Sequence, residues 1–416
     1  MKPVRIYGRL GLLPLAATIF LFLTVPSSVR ADATADLADA YQLFRSGKLT
    51  DALAKYQAVL ATDSSIEQQS QALFWTGIVQ ESSVQNDAAI SSFEALAALA
   101  PNYRWPEVTH KLAVRYRAKD DTAKAQYFFD LLRRRSAQET DPKTKSRADL
   151  LIGDYLKQGG EWGKAFQHFQ SIRNLYPEHA EDILFQVAYT AHSAGQYDSA
   201  IKAGQEYTKT YPDNGRFDEA AFRLVEDLRY ANRHQEALAY LDTLCVARPD
   251  LMPRIKVTRA EVLAEGLKLV HESNTLAQQI IAENQDPYQV YLAKYRLAFN
   301  YLNKLHDVPQ ARALLTEIVD QYPKDNMAVE IASDIASTYG AEGNYRQAVK
   351  LYKDALAKYP CPVPEWDAWI RYMIGHSHLQ AEDYPQVREA WLDLIDKHPS
   401  NEWAKVAQDE MKGLPQ

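Results

Sequence analysis

The residues best suited to chemistry in this 416-residue chain are scattered, and their spacings fail the geometry that chemistry needs. Gly160-Glu161-Trp162-Gly163-Lys164 has the glycines and lysine of a phosphate-cradling loop, but the gap between the glycines is short and no hydroxyl follows the lysine. His271-Glu272 opens a zinc-type helical motif, yet Thr275 stands where the second histidine belongs. His376 and His378 are two apart, so on a helix they point about 200° from each other and cannot share a metal. There is no G-x-S-x-G, and neither cysteine has a flanking base. Acidic pairs such as Asp120-Asp121 and Glu181-Asp182 sit where carboxylates favour helix starts. The expectation is a protein with no catalytic residues, no metal site and no cofactor.

The spacing that does recur is helical. From residue 326 to 360, Ile331, Ile335 and Tyr339 step by four along one face, with Ala332 and Ala336 beside them keeping that face thin. Gly343-Asn344 breaks the pattern, since glycine readily ends a helix in the left-handed conformation. A second helix presents Tyr345, Ala348, Tyr352, Ala355 and Tyr359 on one face and stops at Pro360, because the residue before a proline is biased away from helical geometry. Each helix carries more apolar face than one hairpin can bury, so the hairpin requires neighbours.

This order of small residue, glycine turn, small residue, bulky residue and proline returns about ten times and resembles the tetratricopeptide repeat. The first helices carry Ala40, Gly77, Ala113, Gly153, Ala188, Ala336 and Gly375 at the small position. The second helices carry Ala52, Ala89, Ala125, Ala165, Ala200, Ala237, Ala311 and Ala348. Bulky groups plug the gap at Tyr56, Phe93, Phe129, Phe169, Leu241, Leu315, Tyr352 and Trp391, and closing prolines fall at 101, 177, 212, 249, 287, 323, 360 and 399. The resemblance implies an all-α fold, a right-handed superhelical solenoid of about ten such hairpins with a C-terminal capping helix over 401–412. The tyrosine or histidine before the proline, as in Tyr176-Pro177, Tyr359-Pro360 and His398-Pro399, resembles the bacterial envelope branch of the family. That branch includes the coordinator of the Tol-Pal system and the helical lipoprotein of the outer-membrane assembly machine.

Residues 1–31 read as a signal peptide, 32–140 as N-terminal repeats, 141–287 as central repeats ending in a degenerate unit, and 288–416 as C-terminal repeats with the capping helix. The degenerate unit, 251–287, lacks the glycine turn, and Glu272-Ser273-Asn274 is the expected break between its helices. Residues 137–145 are the expected linker, with Asp141-Pro142 as breaker, and Cys361-Pro362-Val363-Pro364 reads as a rigid joint.

At the start, Lys2, Arg5 and Arg9 precede an uncharged, largely apolar run from Leu10 to Val25, and Val29-Arg30-Ala31 offers small residues where a signal peptidase cuts. The run holds Pro14 and is shorter than the roughly 20 residues of a spanning helix. Cleavage after Ala31, a periplasmic product and no integral membrane segment are expected, and no lipid-accepting cysteine follows the run. Cys245 and Cys361 lie three repeats apart, beyond the reach of a bridge that needs Cα atoms within about 7 Å. Removing residues 1–31 takes away four cations and no acid, which moves the formal charge from −7 to −11 and argues against nucleic-acid binding. Residues 111–147 dissent, with eleven Lys or Arg against five acids. They read as a solvated helix face, or else as a peripheral seat for acidic lipid, lipopolysaccharide or an acidic protein.

In tetratricopeptide arrays the first helix of each unit lines a concave groove, and the resemblance implies that the fifth motif position points into it. Here that position is Phe74, Phe185, Phe222, Tyr295 and Tyr372, with Tyr189, Tyr230 and Trp369 at neighbouring groove positions. Aromatic rings there would give a peptide large contact area at low entropic cost, the alternative being that they pack against the next unit's helices. Phe185, Tyr189, Phe222 and Tyr230 are expected to form one patch. Trp366, Trp369 and Trp403 have no repeat duty and either cap the solenoid or form a platform. The reading is a non-catalytic periplasmic scaffold for a protein or peptide partner in envelope assembly, polysaccharide export or secretion. The alternative is a glycan-binding or enzyme-accessory protein that holds peptidoglycan on the groove rings, with His192 and Asp154 as polar neighbours. Soluble lytic transglycosylases also carry long helical superhelices, but they add a compact catalytic domain, and one helix is expected after the last repeat here.

Overall fold

The computed structural model describes residues 33–283 and 286–415, and the expected signal peptide lies outside them. Among the described residues every regular element is helical, and the chain divides after Gly160 into two units. The first unit holds the pairs α1 (Ala33–Arg45) and α2 (Leu49–Leu60), α3 (Ile66–Ser82) and α4 (Asn86–Leu99), α5 (Trp105–Ala118) and α6 (Thr122–Gln138), then α7 (Pro142–Gln158). The second opens with α8 (Trp162–Ile172), followed by α9 (Ala180–Ser193) with α10 (Tyr197–Thr210) and α11 (Phe217–Tyr230) with α12 (His234–Ala247). It continues through α13 (Met252–Glu261) with α14 (Val270–Glu283), α15 (Pro287–Asn300) with α16 (Val308–Gln321), and α17 (Ala328–Ala341) with α18 (Tyr345–Lys358). The pair α19 (Pro364–Gln380) and α20 (Tyr384–Lys397) and the expected capping helix α21 (Glu402–Met411) complete it.

The turn inside each hairpin and the core behind it are one device. A single left-handed residue closes the turn, and the small residue of the second helix follows five positions later. Glycine fills that turn at 47, 195 and 343 with φ of 77°, 70° and 78°, while Val84, Asp120, Asn232, His306 and Glu382 adopt φ between 55° and 59°. The residues five positions on, Ala52, Ala89, Ala125, Ala200, Ala237, Ala311, Ala348 and Val387, are all buried. Four further on, the plugs Tyr56, Phe93, Leu241, Tyr352 and Trp391 are at most 1 % exposed. The first helix must be thin opposite the plug. A Cβ added to Gly77 would lie 2.6 Å from the Phe93 ring.

The degenerate unit keeps this register where its sequence hides it. The break lies not at Glu272-Ser273-Asn274, which are inside α14, but just before that helix, after a π-helical turn over Val262–Gly266. Lys268 is the left-handed residue at φ 61°, and the buried Ser273 takes the alanine position five residues later. A serine is tolerated in that contact because Asn300 Nδ2 donates to Ser273 Oγ at 3.1 Å and to Asn274 Oδ1 at 2.8 Å. Beside this trio, Arg229 and Arg296 answer Glu261 and Glu265, tying α11, α13 and α15 together.

The expected linker over 137–145 is a tight turn of three residues instead. Glu139 accepts the backbone N–H groups of Thr140 and Asp141 and the Trp105 indole N–H, and Asp141 caps α7 by accepting from Thr144 N–H at 2.8 Å. Pro142 starts α7 rather than breaking the chain, because proline's fixed φ suits the first helical turn. Pro364 does the same for α19 after the joint at 361–363. Cys245 and Cys361 are free thiols.

Candidate functional site

The rings expected to face a partner are mostly core. Phe74, Phe185, Phe222 and Tyr372 are between 4 % and 8 % exposed. Each phenylalanine is covered by a guanidinium from the following repeat: Arg104 lies 4.2 Å from the Phe74 centroid, Arg216 5.0 Å from Phe185 and Arg254 3.8 Å from Phe222. The cation gains quadrupole attraction while its stem seals the ring from water. Arg216 is held there by Asp182 at 2.5 Å. Tyr372 packs against Trp391 at 5.8 Å and Trp403 at 5.0 Å, which makes Trp403 part of the end of the core.

The four-ring patch expected across α9 and α11 is therefore interrupted by burial. Tyr189 is half-buried under Arg223 at 4.5 Å and against Trp162 at 5.9 Å. Tyr230 alone of the four is open, 60 % exposed, and it stacks on Tyr197 at 5.1 Å. Beside this pair His192 Nδ1 lies within hydrogen-bond distance of Asp227 Oδ1, at 2.7 Å, and burial raises the Asp227 carboxyl above its ordinary range. Asp154 lies in the first unit, 3.6 Å from His110. The basic segment 111–147 is largely spent on internal ties. Lys111 and Arg115 pair with Glu81, Lys119 with Asp87, and Arg147 with Glu107. Arg135 donates to the Pro101 carbonyl and covers the Trp105 ring.

Trp369 leads to a different kind of site. With Trp366, also on α19, it walls a cleft of about 420 Å³ whose other sides are Tyr295 and Phe299 of α15 and one face of α17. Asp286 caps α15, accepting from Tyr288 N–H at 2.9 Å, and a π-helical turn over Tyr301–Leu305 after α15 brings Leu302 and Asn303 to the cleft edge. From α17 come Glu330 and Asp334, one helical turn apart and so on the same face. The Tyr295 hydroxyl donates to Asp334 Oδ2 at 3.1 Å. Burial raises the Glu330 carboxyl and pushes Asp334 up to about 7. Behind the cleft Ser337 Oγ lies 2.7 Å from the Tyr352 hydroxyl, and the Tyr352 ring meets Trp369 edge-on at 6.3 Å.

Sequence reasoning singled out Tyr295, Trp366 and Trp369 but not Glu330 and Asp334. The signal was present: both acids sit at i, i+4 directly before Ile331 and Ile335, the residues that mark the inward stripe of α17. Two acids beside an inward stripe are unusual, because carboxylates are rarely taken from water without a partner.

Among the described residues no group of three or more His, Cys, Asp or Glu is placed to hold a metal, and no helix is long and apolar enough to cross a membrane. Tetratricopeptide repeat family models match residues 37–104, 147–179, 292–325 and 334–360, so the chain carries tetratricopeptide repeats. A comparison with curated proteins finds no match. Among solved structures, the human IFIT1 dimer with m7Gppp-AAAA is 16% identical with a TM-score of 0.43, covering 85% of this chain and 81% of that one. PilW, a widely conserved type IV pilus biogenesis factor, is 17% identical with a TM-score of 0.41, covering 55% and 98%. A tetratricopeptide repeat protein from Parabacteroides merdae is 12% identical with a TM-score of 0.42, covering 68% and 97%. Likenesses this loose carry no argument about function.

Proposed function

We propose that this tetratricopeptide-repeat chain is a non-catalytic scaffold that docks a protein partner in the bacterial cell envelope. The observation that carries the docking is the cleft at Trp366 and Trp369, lined after the repeats have packed by aromatic walls and by two carboxyl groups that no cation among the described residues pairs. The envelope setting draws support from the basic start and apolar run of residues 1–31 and from the aromatic or histidine before the closing prolines. Envelope assembly, polysaccharide export and secretion are the processes such a scaffold would serve. A glycan is the second reading, and it draws on the exposed Tyr230 ring stacked on Tyr197 beside His192.

Fractionation tests the setting: a periplasmic product beginning at Asp32 is expected, and retention in membranes after a carbonate wash would contradict it. Capture from envelope extract with the full chain, with and without muramidase, tests the function. A protein retained after digestion supports the scaffold, capture that vanishes with the glycan supports the second reading, and hydrolysis of peptidoglycan by the purified chain would sink both.

A further inference from the structure

We propose that the cleft lined by α15, α17 and α19 is a receptor for a cationic side chain, arginine or lysine, presented by the protein partner. The inference deepens the scaffold reading and rests on it. Glu330 and Asp334 share one face of α17 and open into the cavity walled by Tyr295, Trp366 and Trp369. Elsewhere in the same unit the protein answers its own half-buried acids: Glu261 and Glu265 with Arg229 and Arg296, and Asp367 with Arg371 and His398. Among the described residues no cation reaches Glu330 or Asp334 in this way, and burial is the main influence on both. A carboxylate taken from water without a counter-ion costs free energy, and a cation brought by a partner removes that cost.

The walls fit the same guest. Indole is the strongest side-chain partner for a cation over a ring face, and a guanidinium can lie on a ring while its planar fork reaches a carboxylate. The i, i+4 spacing of the acids lets one fork meet either or both. Among the described residues the titratable groups that face Asp334 are neutral or acidic: Tyr295 from α15, Glu330 from its own helix, and Tyr352 of α18 through Ser337. Two cations do approach the rim, where Arg296 and Lys304 lie 5.4 and 5.9 Å from the Phe299 centroid, but Arg296 is committed to Glu261 and Glu265. A neutral sugar would stack on the same rings and leave both carboxyl groups uncompensated.

Asp334 also weakens its own fold near neutral pH. Its carboxyl is held up at about 7 in the folded chain against 3.8 ordinarily, so the folded state binds the proton more tightly and stability falls as pH rises between those values. A cationic guest would reverse that preference and release the proton.

The test titrates acetyl-Gly-Arg-Gly-amide and its citrulline counterpart into the full chain at pH 8, read by tryptophan fluorescence and calorimetry. The arginine peptide is expected to bind saturably and at least about tenfold more tightly than the citrulline peptide, with affinity falling as pH drops from 8 to 6. Glu330→Gln with Asp334→Asn removes charge without volume and should abolish the discrimination. Trp369→Ala should weaken both peptides, and if it perturbs the fold the amide pair still carries the test. Equal binding of the citrulline peptide, no saturation by the arginine peptide, or unchanged discrimination in the amide pair would overturn the proposal, as would tighter binding of diacetylchitobiose. Capture of the same envelope protein by the amide pair as by the parent chain would also overturn it while leaving the scaffold reading in place. Arginine discrimination with no protein captured by the parent chain would instead count against the scaffold reading alone.

Discussion

Replacing Gly77 by alanine sets helix propensity directly against packing. Gly77 lies inside α3, where alanine is worth about 1 kcal/mol more than glycine to an unobstructed helix. The new Cβ, however, would stand 2.6 Å from Cε1 and Cζ of Phe93, whereas carbon atoms are at ease about 3.5 to 4.0 Å apart. Phe93 is 0 % exposed and packs edge-on against Phe74 at 6.2 Å, so its ring has to withdraw by about 1 Å into occupied space. Overpacking costs about 1 to 3 kcal/mol, and an approach this close belongs in the upper half of that range. After the propensity gain the net loss is about 1 to 2 kcal/mol. Gly204→Ala is the matched control: it too lies within a helix, α10, but its Cβ would meet Leu224 at an ordinary 3.5 Å, so a gain of about 0.5 to 1 kcal/mol is expected. Denaturation read at Trp75, with hydrogen exchange across α3 to α5, is the assay, because repeats respond chiefly through their nearest neighbours. Phe93→Leu should partly rescue Gly77→Ala. Equal or greater stability of Gly77→Ala alone would refute the assigned approach of α3 and α4.

Val84 holds φ 58° in a turn where a β-branched residue is strained, and it is 81 % exposed, so Val84→Gly should raise stability by about 1 kcal/mol in chemical denaturation. No gain would show that the turn bears no strain. Phe185→Ala with Phe222→Ala removes two core rings at about 3 to 5 kcal/mol each, so the second unit should lose its cooperative melt; a native-like melt would return those rings to the surface. Burial lowers the His110 pKa from 6.5 to about 4, which makes the unfolded chain the better proton binder between those values. Stability of the first unit should therefore fall as pH drops from 6.5 toward 4, by up to about 1.4 kcal/mol per pH unit from this residue, and His110→Gln should flatten the curve. Urea denaturation at pH 7 and 5 checks this, and identical pH dependence in the variant would contradict it.

The repeat register was legible because close packing allows few side chains at the helix crossings: each small residue and plug named from spacing is buried. The degenerate unit was not, because its markers are chemical substitutes. Lys268 stands for glycine in the turn and Ser273 for alanine in the contact, and a serine there depends on the Asn300 amide, 27 residues away in sequence. The groove rings were misjudged for a related reason. Helical spacing sets which face Phe185 and Phe222 occupy, but not that Arg216 and Arg254 fold back over them from the next repeat. In the cleft, Trp366 and Trp369 stood out as tryptophans without a repeat duty, whereas the acids did not, since Glu and Asp on a helix ordinarily mean a solvated face.

The most direct test of partner docking is site-specific photo-crosslinking in intact cells, with a benzoyl-phenylalanine at position 369 in the cleft and, for comparison, at Val246, which is 85 % exposed. The account predicts a discrete protein adduct from position 369 that survives muramidase and is absent from position 246. An adduct that disappears with the glycan, or the same product from both positions, would contradict it.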